Sequence, residues 1–161
     1  MKKLFILLLL SQLLTPAFAA DFMEGTFLNK KITNVVVPTQ DDCEGGDDGA
    51  RWDAESENCL VDIADAVKIK KNEDKYSVEV ITWGGNLHSC AFENEAEKIA
   101  EGHLQAKTEG SEWVDGDWQD KECVVDIKFK DQNTLSVEAN WACQVFCGMR
   151  AELSIEEAKR N

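Results

Sequence analysis

The chain predicts an all-β fold, a small closed barrel or two-sheet sandwich of about eight antiparallel strands, built from a duplicated three-strand unit and stapled by disulfides. Three observations carry this expectation. Apolar and polar residues alternate over 123–140, with Val125, Ile127 and Phe129 on one arm and Leu135, Val137 and Ala139 on the other side of the turn Asp131-Gln132-Asn133. The pattern Cys59-Leu-Val-Asp-Ile, Ser77-Val-Glu, Trp83, Cys90-Ala-Phe returns as Cys123-Val-Val-Asp-Ile, Ser136-Val-Glu, Trp141, Cys147-Gly-Met. The cysteines number six, Cys43, Cys59, Cys90, Cys123, Cys143 and Cys147, an even set that reads as three bridges in an oxidising compartment.

In chain order, residues 1–19 read as a secretory signal peptide. Lys2 and Lys3 precede an apolar run over 4–14, and Ala17-Phe18-Ala19 supplies a small-x-small cleavage site. The rest, 20–161, is expected to form one β domain, periplasmic or secreted, with no later apolar run near the ~20 residues of a spanning helix. A strand is predicted around Thr26, a turn at Asn29-Lys30-Lys31, and a second strand over 32–37 that Pro38 ends. Residues 40–57 form a long acidic loop with Gly45, Gly46 and Gly49, and Trp52 as its one large apolar residue.

A strand opens at Cys59, is expected to be interrupted near Asp65, and resumes through Val67 and Ile69. Turns at 72–75 and 84–86 bracket the strand that starts at Tyr76 and ends at Trp83. Over 93–107 the Ala, Glu and Lys content favours a helix. The period of two in Cys90, Phe92, Asn94 and Ala96, then Leu104 and Ala106, favours two strands around Gly102, and the repeat decides for strands. Residues 109–122 read as a linker between the copies, and the tail from Ser154 as at most a short frayed helix. The hairpin register brings Cys123 opposite Cys143. Clamping both copies the same way would pair Cys59 with Cys90 and leave Cys43 for Cys147.

Charge narrows the functional classes. The chain carries 31 acidic against 17 basic residues, a net charge of −14, and loss of Lys2 and Lys3 with the leader makes it more acidic still. Nucleic acid and anionic membranes would repel it, whereas a basic protein would be attracted. No G-x-S-x-G elbow is present, so the chain is read as no enzyme, without a cofactor and with no catalytic residues. Asp41, Asp42, Asp47 and Asp48 belong to a loop rich in oxygen donors. Set in a calcium-loop frame, it places Gly46 on a ligand position and Arg51 on the usual apolar one, so no metal is assigned.

Binding is the remaining class. Trp52 stands among the carboxylates of the first acidic loop, and Trp113 and Trp118 stand among Glu112, Asp115, Asp117 and Asp120. Tryptophan supplies anchor area and carboxylates steer a cationic partner, so these residues are the candidate binding set. Trp83 and Trp141 are expected in the core. The pattern Cys143-x3-Cys147-Gly-x-Arg150-Ala after a Cys123-led hairpin resembles small cysteine-containing exported proteins of Gram-negative bacteria, mostly of unknown function. In outline the chain is also similar to periplasmic lysozyme inhibitors. That resemblance implies a β-rich protein that inserts a loop into the cleft of a cationic enzyme. The chain itself is expected to be a monomer that engages a basic protein, a cationic cell-wall hydrolase or a toxin. The chain lacks the Ser-Gly-x-x-Tyr loop such inhibitors often carry, and its one tyrosine is Tyr76, so no site residue is transferred. The alternative is a lipocalin-like barrel that holds a small apolar ligand inside.

Overall fold

The computed structural model describes residues 22–44 and 49–161. The segment read as a leader lies outside these residues, as do Asp47 and Asp48. Among the described residues nine strands follow in order: β1 (Gly25–Val35), β2 (Arg51–Asp53), β3 (Asn58–Asn72), β4 (Lys75–Trp83), β5 (Ser89–Ala100), β6 (His103–Val114), β7 (Asp117–Asp131), β8 (Thr134–Ala139) and β9 (Ile155–Arg160). A short helix α1 (Gln40–Glu44) precedes β2. All pairings are antiparallel, in the order β1-β9-β8-β7-β6-β5-β4-β3, and β1 pairs again with β3. Eight strands therefore close into a barrel, and β2 adds to the part of β3 that β4 does not reach. Closure removes the free edges an open sheet would present.

Alternation turns one side of every strand inward. Phe27, Val67, Val78, Val80, Phe92, Leu104, Ile127 and Leu135 are each no more than 2% exposed and fill the interior, as expected of a barrel with this number of strands. Both ends are closed as well. At one, Phe22 and Phe27 meet Phe129 edge to face, and Arg160 lies 4.5 Å over the Phe27 ring. The Arg160 guanidinium also donates to the carbonyls of Phe22, Glu24 and Gln132.

At the other end the connection 140–154, which contains a 3-10 helix at Trp141–Phe146, crosses from β8 to the rim of β4 and β5 and returns to β9. There Phe146 meets Phe92 edge to face at 5.4 Å, Gly148 N–H donates to the Ser89 carbonyl, and Thr82 Oγ1 donates to the Glu152 carbonyl. The connection's own Ala142, Ala151 and Leu153 are buried against the barrel.

The unit β3-β4-β5, with a turn at Gly85–Leu87, is matched in element order by β7-β8-β9 with its 3-10 helix. The register, however, is offset. Val78 faces Ile69 and Val137 faces Ile127, so Ile127 corresponds to Ile69 rather than to Ile63 of the sequence alignment. Cys59 consequently stands much higher on its strand than Cys123 does.

That offset corrects two of the three expected bridges. Cys123 and Cys143 are bonded, but Cys43 pairs with Cys59 and Cys90 with Cys147. The ladder of β3 with β4 begins only at Ala66, well past Cys59, which therefore cannot meet Cys90, a residue opposite Thr82 on the far side of β4.

Four elements also differ from expectation. Asn29, Lys30 and Lys31 make no turn, and β3 is not interrupted at Asp65, because Asn29 and Asp65 are register partners within one ladder. Their polarity is satisfied in place. Lys31 Nζ lies 2.8 Å from Asp65, Asn29 donates to the same carboxylate, and so does the Trp83 N–H. Residues 109–122 are no linker but the ends of β6 and β7. The tail from Ser154 is strand β9, since burial of Ile155 and Ala158 in the closing seam outweighs the helical propensity of its Glu, Ala and Lys.

Candidate functional site

Strand direction alternates around the barrel, so the described parts of the connection from β1 to β3, the turn 84–88, the β6–β7 turn and the segment 140–154 all lie at one end. Two long hairpins, β1/β3 and β6/β7, rise at this end. Two strands separate them either way round, β9 with β8 or β4 with β5, so they stand on opposite sides. Asp41, Asp42 and Trp52 belong to the first, and Trp113, Asp115, Asp117 and Trp118 to the second.

On the first side the residues are occupied structurally. Thr39 Oγ1 donates to Asp42 and accepts the Asp42 N–H, capping α1, while Asp41 is exposed beside it. Trp52 is half-buried in β2 opposite Cys59, next to the Cys43–Cys59 bridge. Asp53 accepts bonds from the Ser56 hydroxyl and the Glu55 N–H, which hold its carboxyl below the ordinary value. Asp62 takes up Arg51 at 3.0 Å.

The second side is an arm. Pairing of β5 with β6 stops at Ala96 and Ala106, and pairing of β7 with β8 starts at Val125, so β6 and β7 continue beyond the barrel as a two-stranded hairpin. Its tip is a two-residue turn with positive φ at both Asp115 (52°) and Gly116 (92°), the type I′ geometry whose twist matches that of the flanking strands. The Cys123–Cys143 bridge ties its base to the 3-10 helix, which packs against the inward face at Gly110.

The turn sets which side chains meet. With Val114 and Asp117 as its flanking hydrogen-bonded pair, Trp113 and Trp118 form the closer, non-bonded kind, as do Glu109 and Glu122 four pairs further down. The two indoles sit edge to face at 5.4 Å yet remain 55% and 59% exposed. Between 109 and 122 the arm holds six carboxylates and one lysine. Glu109 stands directly opposite Glu122, an unfavourable cross-strand pair. Among the described residues Lys107, 3.4 Å from Glu122, is the cation that reaches this cluster. The arm is thus an aromatic pair on an under-neutralised acidic face, held at its base by a covalent bond.

Comparison with protein-family models, curated proteins and solved structures returns no match. The reading of the surface therefore rests on its own chemistry.

Trp141 is expected in the core, but it is 62% exposed on the 3-10 helix, where Val145 is exposed as well, and Met149 beyond the helix is also exposed. The 3-10 helix replaces the strand expected here and leaves Trp141 and Val145 outside, while Phe146 of the same helix packs on Phe92. Trp83, also expected in the core, is only half-buried and lies outside the core cluster. On the barrel wall, His103 Nε2 lies 2.7 Å from Asp126 Oδ1, and Gln105 donates to the same oxygen. Burial pushes the Asp126 carboxyl up, but the bonds from Gln105 and His103 and the charges of His103 and Lys128 outweigh it and hold the group below the ordinary value.

Proposed function

We propose that the protein is a non-catalytic periplasmic binding protein that engages a basic protein, a cationic cell-wall hydrolase or a toxin, and blocks it. The observation that supports this most is the Trp113–Trp118 pair, exposed on an acidic arm whose base is covalently fixed. A solvent-facing aromatic pair offers anchor area at little conformational cost, and the carboxylates around it speed the approach of a cation. The reading with an apolar ligand inside the barrel has less support, because the interior positions are filled by side chains and both ends are covered.

The test is binding of the oxidised mature chain to a panel of cationic lysozymes at two salt concentrations. Capture at low salt should weaken by an order of magnitude or more at high salt, and Trp113→Ala with Trp118→Ala should remove it. Failure of capture at low salt, or indifference to both substitutions, overturns the proposal.

A further inference from the structure

We propose that the outer edge of β6, at Glu109, Ser111 and Trp113, accepts an extended segment of the basic partner as an added β-strand. This rests on the binding role proposed above and gives it a docking mode.

The backbone of the arm is asymmetric. In an antiparallel hairpin, successive residues turn their N–H and C=O alternately to the two sides. On β6 the even-numbered residues 108–114 bond to β7, which leaves Glu109, Ser111 and Trp113 aimed away from it. The β5–β6 ladder should continue as a Glu95–Lys107 pair, but the Asn94 side chain takes that place. Its Oδ1 accepts the Glu95 N–H and its Nδ2 donates to the Lys107 carbonyl. Beyond this wedge the two strands part, and the outward main-chain groups of Glu109, Ser111 and Trp113 find no partner among the described residues. On the β5 side of the split Cys147 and Gly148 pair with Cys90 and Ser89, so the added strand would run along the β6 side alone.

The β7 edge is treated differently. Asn140 N–H and Nδ2 donate to the carbonyls of Val124 and Glu122, Asn140 Oδ1 accepts the Val124 N–H, and Asp117 takes the Trp118 N–H. On the β7 edge side chains thus cap Val124, the Glu122 carbonyl and the Trp118 N–H, whereas Glu109, Ser111 and Trp113 on the β6 edge have no such cap among the described residues.

Charge selects the occupant. A second copy adding along the same edge would bring Glu109 and its neighbours against an equal set of carboxylates, whereas a strand with lysine or arginine at alternate positions would set its cations beside Glu109, Glu122 and the Trp113–Trp118 pair. Main-chain bonds would supply affinity, and the alternate cations specificity.

The test uses the oxidised mature chain and a synthetic peptide of alternating lysine and threonine, compared with the same peptide N-methylated at every second residue to remove main-chain donors. We expect the plain peptide to bind at low salt and to slow amide exchange at Glu109, Ser111 and Trp113, and the methylated one to bind at least tenfold more weakly. Ser111→Pro removes an outward N–H without breaking the ladder to β7, and should erase the difference between the peptides. Equal binding of both peptides to the wild-type chain overturns strand addition while leaving an acidic contact surface intact. Absence of binding by either peptide at low salt overturns both readings.

Discussion

Gly110 and Ala142 touch where the arm leaves the barrel. A Cβ on Gly110 would lie 2.4 Å from the Ala142 carbonyl oxygen and 2.9 Å from the Cys123 Cβ. The 3-10 helix crosses the arm at this point because the crossed residue has no side chain. Gly110→Ala must displace main chain next to a disulfide and should cost about 1–3 kcal/mol, read as a lower midpoint in urea. Gly85→Ala, where a Cβ meets nothing within 4 Å, is the control and should leave the midpoint nearly unchanged.

The bridges should differ in strength. Cys90–Cys147 spans 57 residues and Cys43–Cys59 spans 16. On loop-closure entropy, replacing the first pair by alanine should cost about 1 kcal/mol more than replacing the second. Urea unfolding of the two double variants measures this, and peptide mapping without reduction checks the pairings themselves.

Asp65 is 1% exposed and gathers Lys31, Asn29 and the Trp83 N–H on one carboxylate. Its removal leaves the Lys31 cation without its counter-charge and the Trp83 N–H without its acceptor. Asp65→Ala should therefore destabilise by about 2–4 kcal/mol, a large part of a typical domain's stability. If the double variant with Lys31→Met recovers more than half of the loss, the ion pair is confirmed as the cause.

Acid should expose the role of Asp126. Its folded carboxyl is held below the ordinary 3.8, so it binds protons less readily in the folded than in the unfolded chain. The stabilisation is fully present above the unfolded value and is lost as pH falls through the folded one. Melting temperatures of the wild type and Asp126→Asn should therefore converge towards acid and separate near neutrality. A gap that is constant with pH would contradict the assignment.

Trp118→Ala should separate binding from folding. The indole pair is exposed on the arm and lies outside the core, so its loss should cost the fold under about 1 kcal/mol while weakening capture of a cationic protein at least tenfold. A fall in melting temperature as large as that of Gly110→Ala would mean that the pair serves the fold.

Much of this was legible residue by residue. Alternation in 123–140 placed Val125, Ile127, Leu135 and Val137 inward, and Gly102 split 93–107 into two strands despite their helical composition. Trp113 and Trp118 were legible as candidate anchors from their carboxylate neighbours, but not as a facing pair. Their intervening Asp115-Gly116 was read as part of a linker although it carries the hairpin-turn signature.

What the sequence by itself determined is local. Side-chain alternation selects strand, turn residues delimit hairpins, and one short hairpin with the 3-10 turn that follows it brings Cys123 to Cys143, all through contacts between near neighbours in the chain. What only the tertiary structure decided depends on height and closure. The offset between β3 and β7 sends Cys59 to Cys43 and Cys90 to Cys147, the seam between β1 and β8 makes a strand of 155–160, and the Asn94 wedge lets the arm leave the barrel. Each of these depends on where a residue stands along its strand relative to a distant one, and the period of two along a single strand carries no such information.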